Sequence, residues 1–406
     1  MHENSLFRDS RFRLYLLYRL ALVLAIQIQS VAVGWHVYDR TRNPLYLGYV
    51  GLAIFLPSLI SALPAGRIAD IYPRHRIMLM SVSVLWLGSL SLMSSSLWEG
   101  GGLYHLYSTF VLIGFARAFG NPASSSYLPQ LLPTEKLSQG IALSSTTWQL
   151  ATILGPALAG MVFGMTSGNL TVVYGTSLAL FSLSLIALSL LPKLAPAAQT
   201  AKKLELLAGL RYVWENKLVL GAISLDLFAV LLGGAVALLP VFAKEILHVG
   251  PDGLGYLRSA PAVGAVVTAL ILASFPLKRH VGIITLVAVG LFGVFTIGFG
   301  LSTNFELSLL CLALLGAADM VSVVVRQTLI QVHTPDAMRG RVSAVDMVFI
   351  GASNELGEFE SGVTAALWGT VPAVVVGGIG TIAVVITWAV IFPALRRAND
   401  FRTLPK

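Results

Sequence analysis

Long apolar stretches separated by short polar ones run along the whole chain. Twelve of them reach about 20 residues, the length that an α-helix needs to cross a hydrocarbon layer of roughly 30 Å. They predict twelve membrane-spanning helices, at residues 14–38, 45–65, 77–97, 104–128, 141–165, 171–191, 218–243, 255–275, 282–302, 306–328, 344–368 and 371–394. The pattern therefore predicts an all-α membrane protein.

Composition and charge support this prediction. Hydrophobic residues make up 56% of the chain and charged residues 11%, against about 25% charged residues in soluble domains. Twenty of the 27 lysines and arginines lie in loops on one side of the predicted helices, four lie on the other side, and three lie within apolar stretches. The positive-inside rule then places both termini in the cytoplasm of a bacterial-type inner membrane. It also explains the net charge of +8 without a nucleic-acid partner.

A polar segment divides the chain into two halves. We predict a bundle of six helices at 1–192, a cytoplasmic linker with an amphipathic helix at 193–216, and a second bundle of six helices at 217–406. A faint internal repeat supports the division, because Leu132-Pro133-Thr134 recurs as Thr334-Pro335-Asp336 at an offset of 202 residues. Two related halves are a known arrangement in transporters.

The charged turn at 66–76, between the second and third predicted helices, carries a recognisable pattern. It resembles the G-x-x-x-D-x-x-G-R-[KR]-[KR] signature of the major facilitator superfamily, with Pro73 in place of the second glycine and His75 at one basic position. The matching residues are Gly66, Asp70, Arg74 and Arg76. The resemblance implies a conformational latch, since carboxylate and arginine contacts near helix ends can form and break during a rocking motion. The alternative is an ordinary solvated turn.

The fifth predicted helix extends the resemblance. Residues 151–160 are similar to the antiporter signature G-x-x-x-G-P-x-x-G-G, and Gly155, Pro156 and Gly160 predict a bend with close helix contacts. Residues 117–122, 205–216 and 338–342 resemble the third drug:proton antiporter family, the branch that includes macrolide and enterobactin exporters. The resemblance implies the major facilitator fold, with two pseudo-symmetric six-helix bundles. It also implies proton-coupled efflux of a small amphipathic organic compound by alternating access.

Ionisable residues inside apolar helices are the strongest indication of a functional site that the residues themselves give. Each costs about 2.5 to 3.5 kcal/mol at the centre of a bilayer unless it is paired or hydrated. A proton-coupled exporter needs such a carboxyl group to gain and lose a proton. The candidates for this role are Asp226, Asp319 and Glu358, with Arg117 as a partner that tunes them. The alternative is that these residues form fixed structural pairs.

A substrate cavity needs apolar walls with a few polar groups. The candidates for lining it are Gln27, Trp148, Gln149 and Phe228. For each of them, contact with lipid or with a neighbouring helix is the alternative.

Enzyme motifs are not found in the sequence. It contains no G-x-x-x-x-G-K-[ST], no G-x-G-x-x-G and no H-x-x-x-H, so we expect no enzymatic activity, no cofactor and no metal. The expected partners are a small-molecule substrate, protons and the lipid bilayer, and the expected state is a monomer. Two other functions stay open at this stage: a proton-coupled uptake symporter for a nutrient or metabolite, and a membrane receptor or scaffold that transports nothing.

Overall fold

The structure, a computed structural model, describes residues 6–97, 102–194, 206–277 and 279–401. Within these residues every regular element is helical. A 3₁₀ turn at Leu6–Arg8 precedes the first long helix. The α-helices are α1 (Ser10–Thr41), α2 (Pro44–Ile71), α3 (Arg74–Leu97), α4 (Leu103–Leu131), α5 (Thr134–Met165), α6 (Leu170–Ser189), α7 (Leu206–Glu215), α8 (Lys217–Leu232), α9 (Leu239–Val241), α10 (Gly250–Ser274), α11 (Val281–Leu301), α12 (Phe305–His333), α13 (Asp336–Trp368), α14 (Thr370–Ile391) and α15 (Pro393–Arg396).

Ten segments in the described part of the chain are long and apolar enough to cross a membrane, when the broken stretch Lys217–Ile246 is counted as one segment. The sequence predicts twelve spans. The two helices at predicted spans that are not apolar enough are α4 and α13. Both are longer than 20 residues, but α4 carries Arg117 and a run of serines, and α13 carries several carboxylates. The count of twelve spans is therefore not confirmed, because polar side chains lower the mean hydropathy of these two helices.

The seventh predicted span, 218–243, is not one continuous helix. Helix α8 ends at Leu232, and Gly233 and Gly234 lead into a 3₁₀ turn at Ala235–Leu238. The short α9 and a π-helix at Phe242–Ile246 follow. A side chain at Gly233 would meet Phe292, and one at Gly234 would meet Ser361. Glycine therefore lets the chain pass close to α11 and α13 at this break.

Local signals in the sequence set where several helices begin. The side chains of Asn169, Asn216 and Asn304 accept hydrogen bonds from backbone N–H groups in the first turns of α6, α8 and α12, which is the usual role of asparagine as an N-cap. Pro133 and Pro335 hold the N-cap positions of α5 and α13 with similar extended backbone angles. The two sites of the internal repeat thus have the same local structure.

The chain divides into two compact units. The first contains Met1–Arg40, Leu52–Thr200 and Gly250–Gly255, and the second contains Thr41–Gly51, Ala201–Val249 and Tyr256–Lys406. The first turns of α2 belong to the second unit, and the first residues of α10 belong to the first. The predicted boundaries at 192 and 216 stay a prediction, and residues 195–205 of the predicted linker lie outside the described residues.

Each unit has its own core. In the first unit large aromatic side chains are buried between helices, where Tyr15 packs beside Tyr18 and Tyr127, and the Tyr127 hydroxyl donates to the carbonyl of Pro192. In the second unit aliphatic side chains of α8, α11, α12 and α14, such as Leu225 and Val325, form a buried cluster. The buried polar side chains of each unit lie among these apolar residues.

Candidate functional site

A buried charged cluster joins three helices of the second unit. Arg326 of α12 is only 3% exposed, and its Nη1 lies 2.5 Å from Oδ1 of Asp346 in α13. Its Nη2 lies 3.3 Å from Oδ2 of Asp226 in α8, and both carboxylates are also buried. A buried guanidinium stays charged and needs such partners. The cluster therefore ties α8 to the consecutive helices α12 and α13, which lie much later in the sequence.

Asp319 lies on α12 two turns before Arg326, and it lines the same pocket as Asp226. The other residues that line this small pocket are Ala229, Val230, Val289, Phe292 and Ser322. Of the four proton-coupling candidates, the structure thus brings Asp226 and Asp319 together. Three carboxyl groups and one guanidinium share this region.

Asp346 is the member of the cluster that the sequence analysis misses. It lies in Val342-Ser343-Ala344-Val345-Asp346, near the beginning of the predicted span 344–368, where a charged residue resembles the end of a loop. The useful signal is Arg326, because an arginine inside an apolar helix requires a carboxylate nearby. The sequence does not show which carboxylate this is, since the contact bridges two helices.

Glu358 is not part of this cluster. It lies on α13, packs against the backbone of Gly51 in α2, and interacts electrostatically with Arg258 of α10. Its surroundings are those of a residue paired with a cation on a neighbouring helix. A role in proton coupling stays a prediction for Glu358.

Arg117, the fourth candidate, is half-buried in α4 of the first unit. Its role as a tuning partner also stays a prediction.

Gln27 has a structural partner that the sequence does not reveal. Its side-chain amide donates to the carbonyl of Thr152 in α5, with 3.3 Å between Nε2 and the oxygen. In a regular helix that carbonyl would accept from the N–H of the residue four positions later, which here is Pro156. Proline has no N–H, so Gln27 supplies the missing donor from α1.

The small residues of α5 allow close contacts between helices. A Cβ on Gly155 would overlap the Cβ of Gln27, so only glycine lets α1 come this near. A Cβ on Gly160 would overlap the Cα of Gly255, which belongs to the same unit. Close packing by the predicted glycines is thus visible, and Pro156 lies inside the helix.

The other candidates for a substrate cavity lie in different surroundings. Trp148 is 44% exposed and Gln149 is partly exposed, both on α5. Phe228 packs on Trp388 of α14 with 5.2 Å between ring centroids. Phe228 is not among the residues that line the pocket of Asp226, and all these substrate contacts stay predictions.

The charged turn at 66–76 is partly described. The surroundings of Gly66 and the side chain of Asp70 lie outside the described residues. Arg74 donates from Nη1 to the carbonyl of Ser126 at 2.8 Å, near the end of α4, and Arg76 is exposed. A cation near the C-terminus of a helix is favourable, so Arg74 has a partner within its own unit.

Pro73 has a clear local role. Helix α2 ends at Ile71, and the carbonyl of Pro73 accepts from the N–H groups of Arg76 and Ile77 at the start of α3. This turn has no residue with positive φ, so it does not need the glycine of the signature.

The nearby His75 is buried, with its Nε2 2.8 Å from the carbonyl of Leu188 at the end of α6.

Apolar helices of spanning length with buried charges between them are typical of multi-pass membrane transporters. A model of the transmembrane secretion effector family matches residues 4–403, and the chain belongs to that family of the major facilitator superfamily. The chain is an efflux transporter, because it matches this family and its relatives are named as exporters.

Two of these relatives carry the same name. The chain is 26% identical over 401 residues to the enterobactin exporter EntS of Citrobacter koseri, covering 97% of this chain and 94% of that protein. It is also 26% identical over 400 residues to the enterobactin exporter EntS of Shigella boydii, with the same shares covered. The relatives are thus matched over almost their whole length.

Solved structures show the same fold at low sequence identity. A bacterial homologue of the human lysosomal transporter Spinster, inward-facing and occupied, superposes with a TM-score of 0.71 at 13% identity over 97% of each chain. A POT family transporter in complex with 5-aminolevulinic acid gives a TM-score of 0.71 at 13% identity over 95% of this chain and 96% of that one. These similarities support the fold alone.

Proposed function

We propose that this protein couples the inward movement of protons to the efflux of a small amphipathic organic compound by alternating access. The observation that carries this proposal is the buried cluster of Arg326, Asp226 and Asp346, with Asp319 on the same pocket as Asp226. The compound is siderophore-like or drug-like, which the relatives named as enterobactin exporters support.

The cluster suits proton coupling because of its charges. If all three carboxyl groups were ionised, one guanidinium would leave two negative charges uncompensated among apolar helices, which is costly. Holding a proton on a carboxyl group removes that cost. Asp226 and Asp319, which both line the pocket, are the groups that we assign to proton binding and release.

The proposed architecture has twelve spans in two pseudo-symmetric bundles, at 1–192 and 217–406, joined by a cytoplasmic linker at 193–216. The matching N-cap geometry of Pro133 and Pro335 supports related halves, and α4 and α13 are helices of spanning length despite their polar residues. The protein is a monomer in a bacterial-type inner membrane, with both termini cytoplasmic, as the distribution of lysine and arginine indicates.

The test uses the purified protein in liposomes with an imposed proton gradient. Enterobactin is the first probe and a macrolide is the second. Mass spectrometry measures whether the probe accumulates against its own concentration gradient. We expect transport of one probe that stops when an uncoupler collapses the gradient. Transport that the uncoupler leaves unchanged would contradict proton coupling.

A pair of variants locates the coupling. We expect Asp319→Asn to reduce gradient-driven transport to the level of liposomes without protein, because this position then binds no exchangeable proton. Glu306→Gln is the matched control, since Glu306 is an exposed acid in the first turn of the same helix. Full gradient-driven transport by Asp319→Asn would remove Asp319 from the mechanism.

A further inference from the structure

The two carboxylates that contact Arg326 do so unequally. Asp346 accepts a hydrogen bond from Nη1 at 2.5 Å. Asp226 lies at ion-pair distance from Nη2, at 3.3 Å. The contacts use different nitrogens of one guanidinium, so one can be lost while the other remains. Arg326 is therefore held more closely by α13 than by α8.

Among the residues that the structure describes, the charged groups found near Asp226 lie on α12 and α13. Arg326 and Asp319 come from α12, and Asp346 comes from α13. Besides α8 and α12, α11 lines the pocket with Val289 and Phe292, and α11 contains no charged residue. Helix α14, which packs against α8, contains none either. The charge state of Asp226 therefore depends on how Arg326 divides its interactions between two carboxylates.

We propose that Asp346 is a positioning residue that acts as the fixed counter-ion of Arg326 and thereby leaves Asp226 able to exchange its proton. This inference rests on the proposed proton coupling. When Asp226 takes up a proton, Nη2 loses its ionic partner and Nη1 keeps Asp346. Arg326 then remains neutralised in its buried position, so the proton can bind without exposing an unpaired cation.

Removing the fixed counter-ion has a defined electrostatic consequence. Without the Asp346 carboxylate, Asp226 becomes the closest partner of Arg326 and also loses a negative neighbour. Both changes favour the ionised form of Asp226, because an opposite charge nearby favours ionisation and a like charge opposes it. More acid is then needed to protonate Asp226, and the transporter is held in its deprotonated state.

The test follows the infrared C=O band of protonated carboxylic acids in the purified full-length protein in lipid, titrated from about pH 4 to about pH 9. The absorbance that is present in the unsubstituted protein and absent from the Asp226→Asn variant is assigned to protonated Asp226. We expect Asp346→Asn to move the midpoint of that absorbance to lower pH by about one unit or more. At the original midpoint a shift of one unit lowers the protonated fraction from about one half to about one tenth, roughly fivefold. Asp346→Glu, which keeps a carboxylate, should restore the midpoint.

A second variant gives a shift of the opposite sign. Arg326→Gln with Asp346→Asn removes the fixed ion pair as a neutral unit, so folding does not depend on an unpaired buried charge. Asp226 then loses its nearest cation, and its midpoint should move to higher pH than in the unsubstituted protein. This variant keeps the test decisive if Asp346→Asn alone does not fold.

The outcomes separate this inference from the proposed function. An unchanged midpoint in Asp346→Asn, or the same shift in both variants, would show that Asp346 only packs α13 against α12. Gradient-independent transport by the unsubstituted protein, measured in the liposome experiment, would instead contradict proton coupling whatever the infrared titration gives.

Discussion

Three long polar side chains of the first unit bond to backbone carbonyls, whereas the buried Arg326 of the second unit bonds to carboxylates. Gln27, Arg74 and His75 contact the carbonyls of Thr152, Ser126 and Leu188. Arg326 contacts Asp226 and Asp346. A carbonyl oxygen has the same charge at any pH, but a carboxylate can take up a proton. These three contacts of the first unit keep their charges on the acceptor side at any pH, whereas the Arg326 cluster offers carboxylates on which the proposed proton coupling can act.

The largest expected effect comes from removing both carboxylates beside Arg326. Asp226→Asn with Asp346→Asn leaves a buried guanidinium without its two closest partners, and we expect a loss of about 3–5 kcal/mol in the free energy of unfolding. Adding Arg326→Gln to this double variant should recover most of the lost free energy of unfolding. The measurement is reversible denaturation in detergent, followed by circular dichroism.

An exposed ion pair of the same unit is the control. Arg42 and Glu245 lie 2.9 Å apart with side chains 57% and 44% exposed. Replacing both by glutamine should change stability by no more than about 1 kcal/mol. A similar loss of stability in both experiments would mean that burial does not make the Arg326 cluster more important for stability than the exposed pair.

A smaller effect is expected where α1 and α5 meet in the first unit. Gly155→Ala places a Cβ in overlap with the Cβ of Gln27, so we expect a loss of about 1–3 kcal/mol from overpacking. Gly175→Ala in α6 is the matched control, because its nearest neighbour would be the sulfur of Met93 at 3.9 Å. That variant should be neutral or slightly stabilising, as measured by the thermal unfolding midpoint. A neutral Gly155→Ala would show that the contact between α1 and α5 adjusts easily.

The smallest effect tests the carbonyl contact itself. Gln27→Leu should cost about 1 kcal/mol, typical of a hydrogen bond between membrane helices. In a Pro156→Ala background the same change should cost nothing further, because alanine supplies an N–H for the carbonyl of Thr152. Gln149→Leu, on the partly exposed face of α5, is the control. Equal costs of Gln27→Leu in both backgrounds would assign Gln27 another role, such as the predicted substrate contact.

The sequence predicts the helices well and their partners less well. Apolar stretches locate the long helices, because spanning length and hydropathy are local properties. Helix ends are predicted less well: α5 begins at Thr134 and not at 141, α13 begins at Asp336 and not at 344, and the break after Leu232 is missed. The signature at 66–76 and the Gly155-Pro156 pair point to the family because they are local patterns too. Asp226, Asp319 and Arg326 stand out as unusual because they are ionisable residues inside apolar stretches, which is again a local property of the chain.

Partners across helices depend on three-dimensional packing, which a single sequence does not show. Gln27 is predicted to line a cavity, yet its amide bonds to a carbonyl that Pro156 leaves without a donor, 125 residues away in sequence. Asp346 is missed because its carboxylate is significant only beside Arg326. Glu358 is grouped with Asp226 from its type alone, and the structure separates the two.

The break after α8 has a mechanical consequence for the site. Asp226 stands on a helix of 16 residues that ends before Gly233 and Gly234, and not on one rigid rod that continues to Ile246. The Gly233-Gly234 segment is therefore the joint at which backbone torsions would absorb a tilt of the roughly four helical turns that carry Asp226.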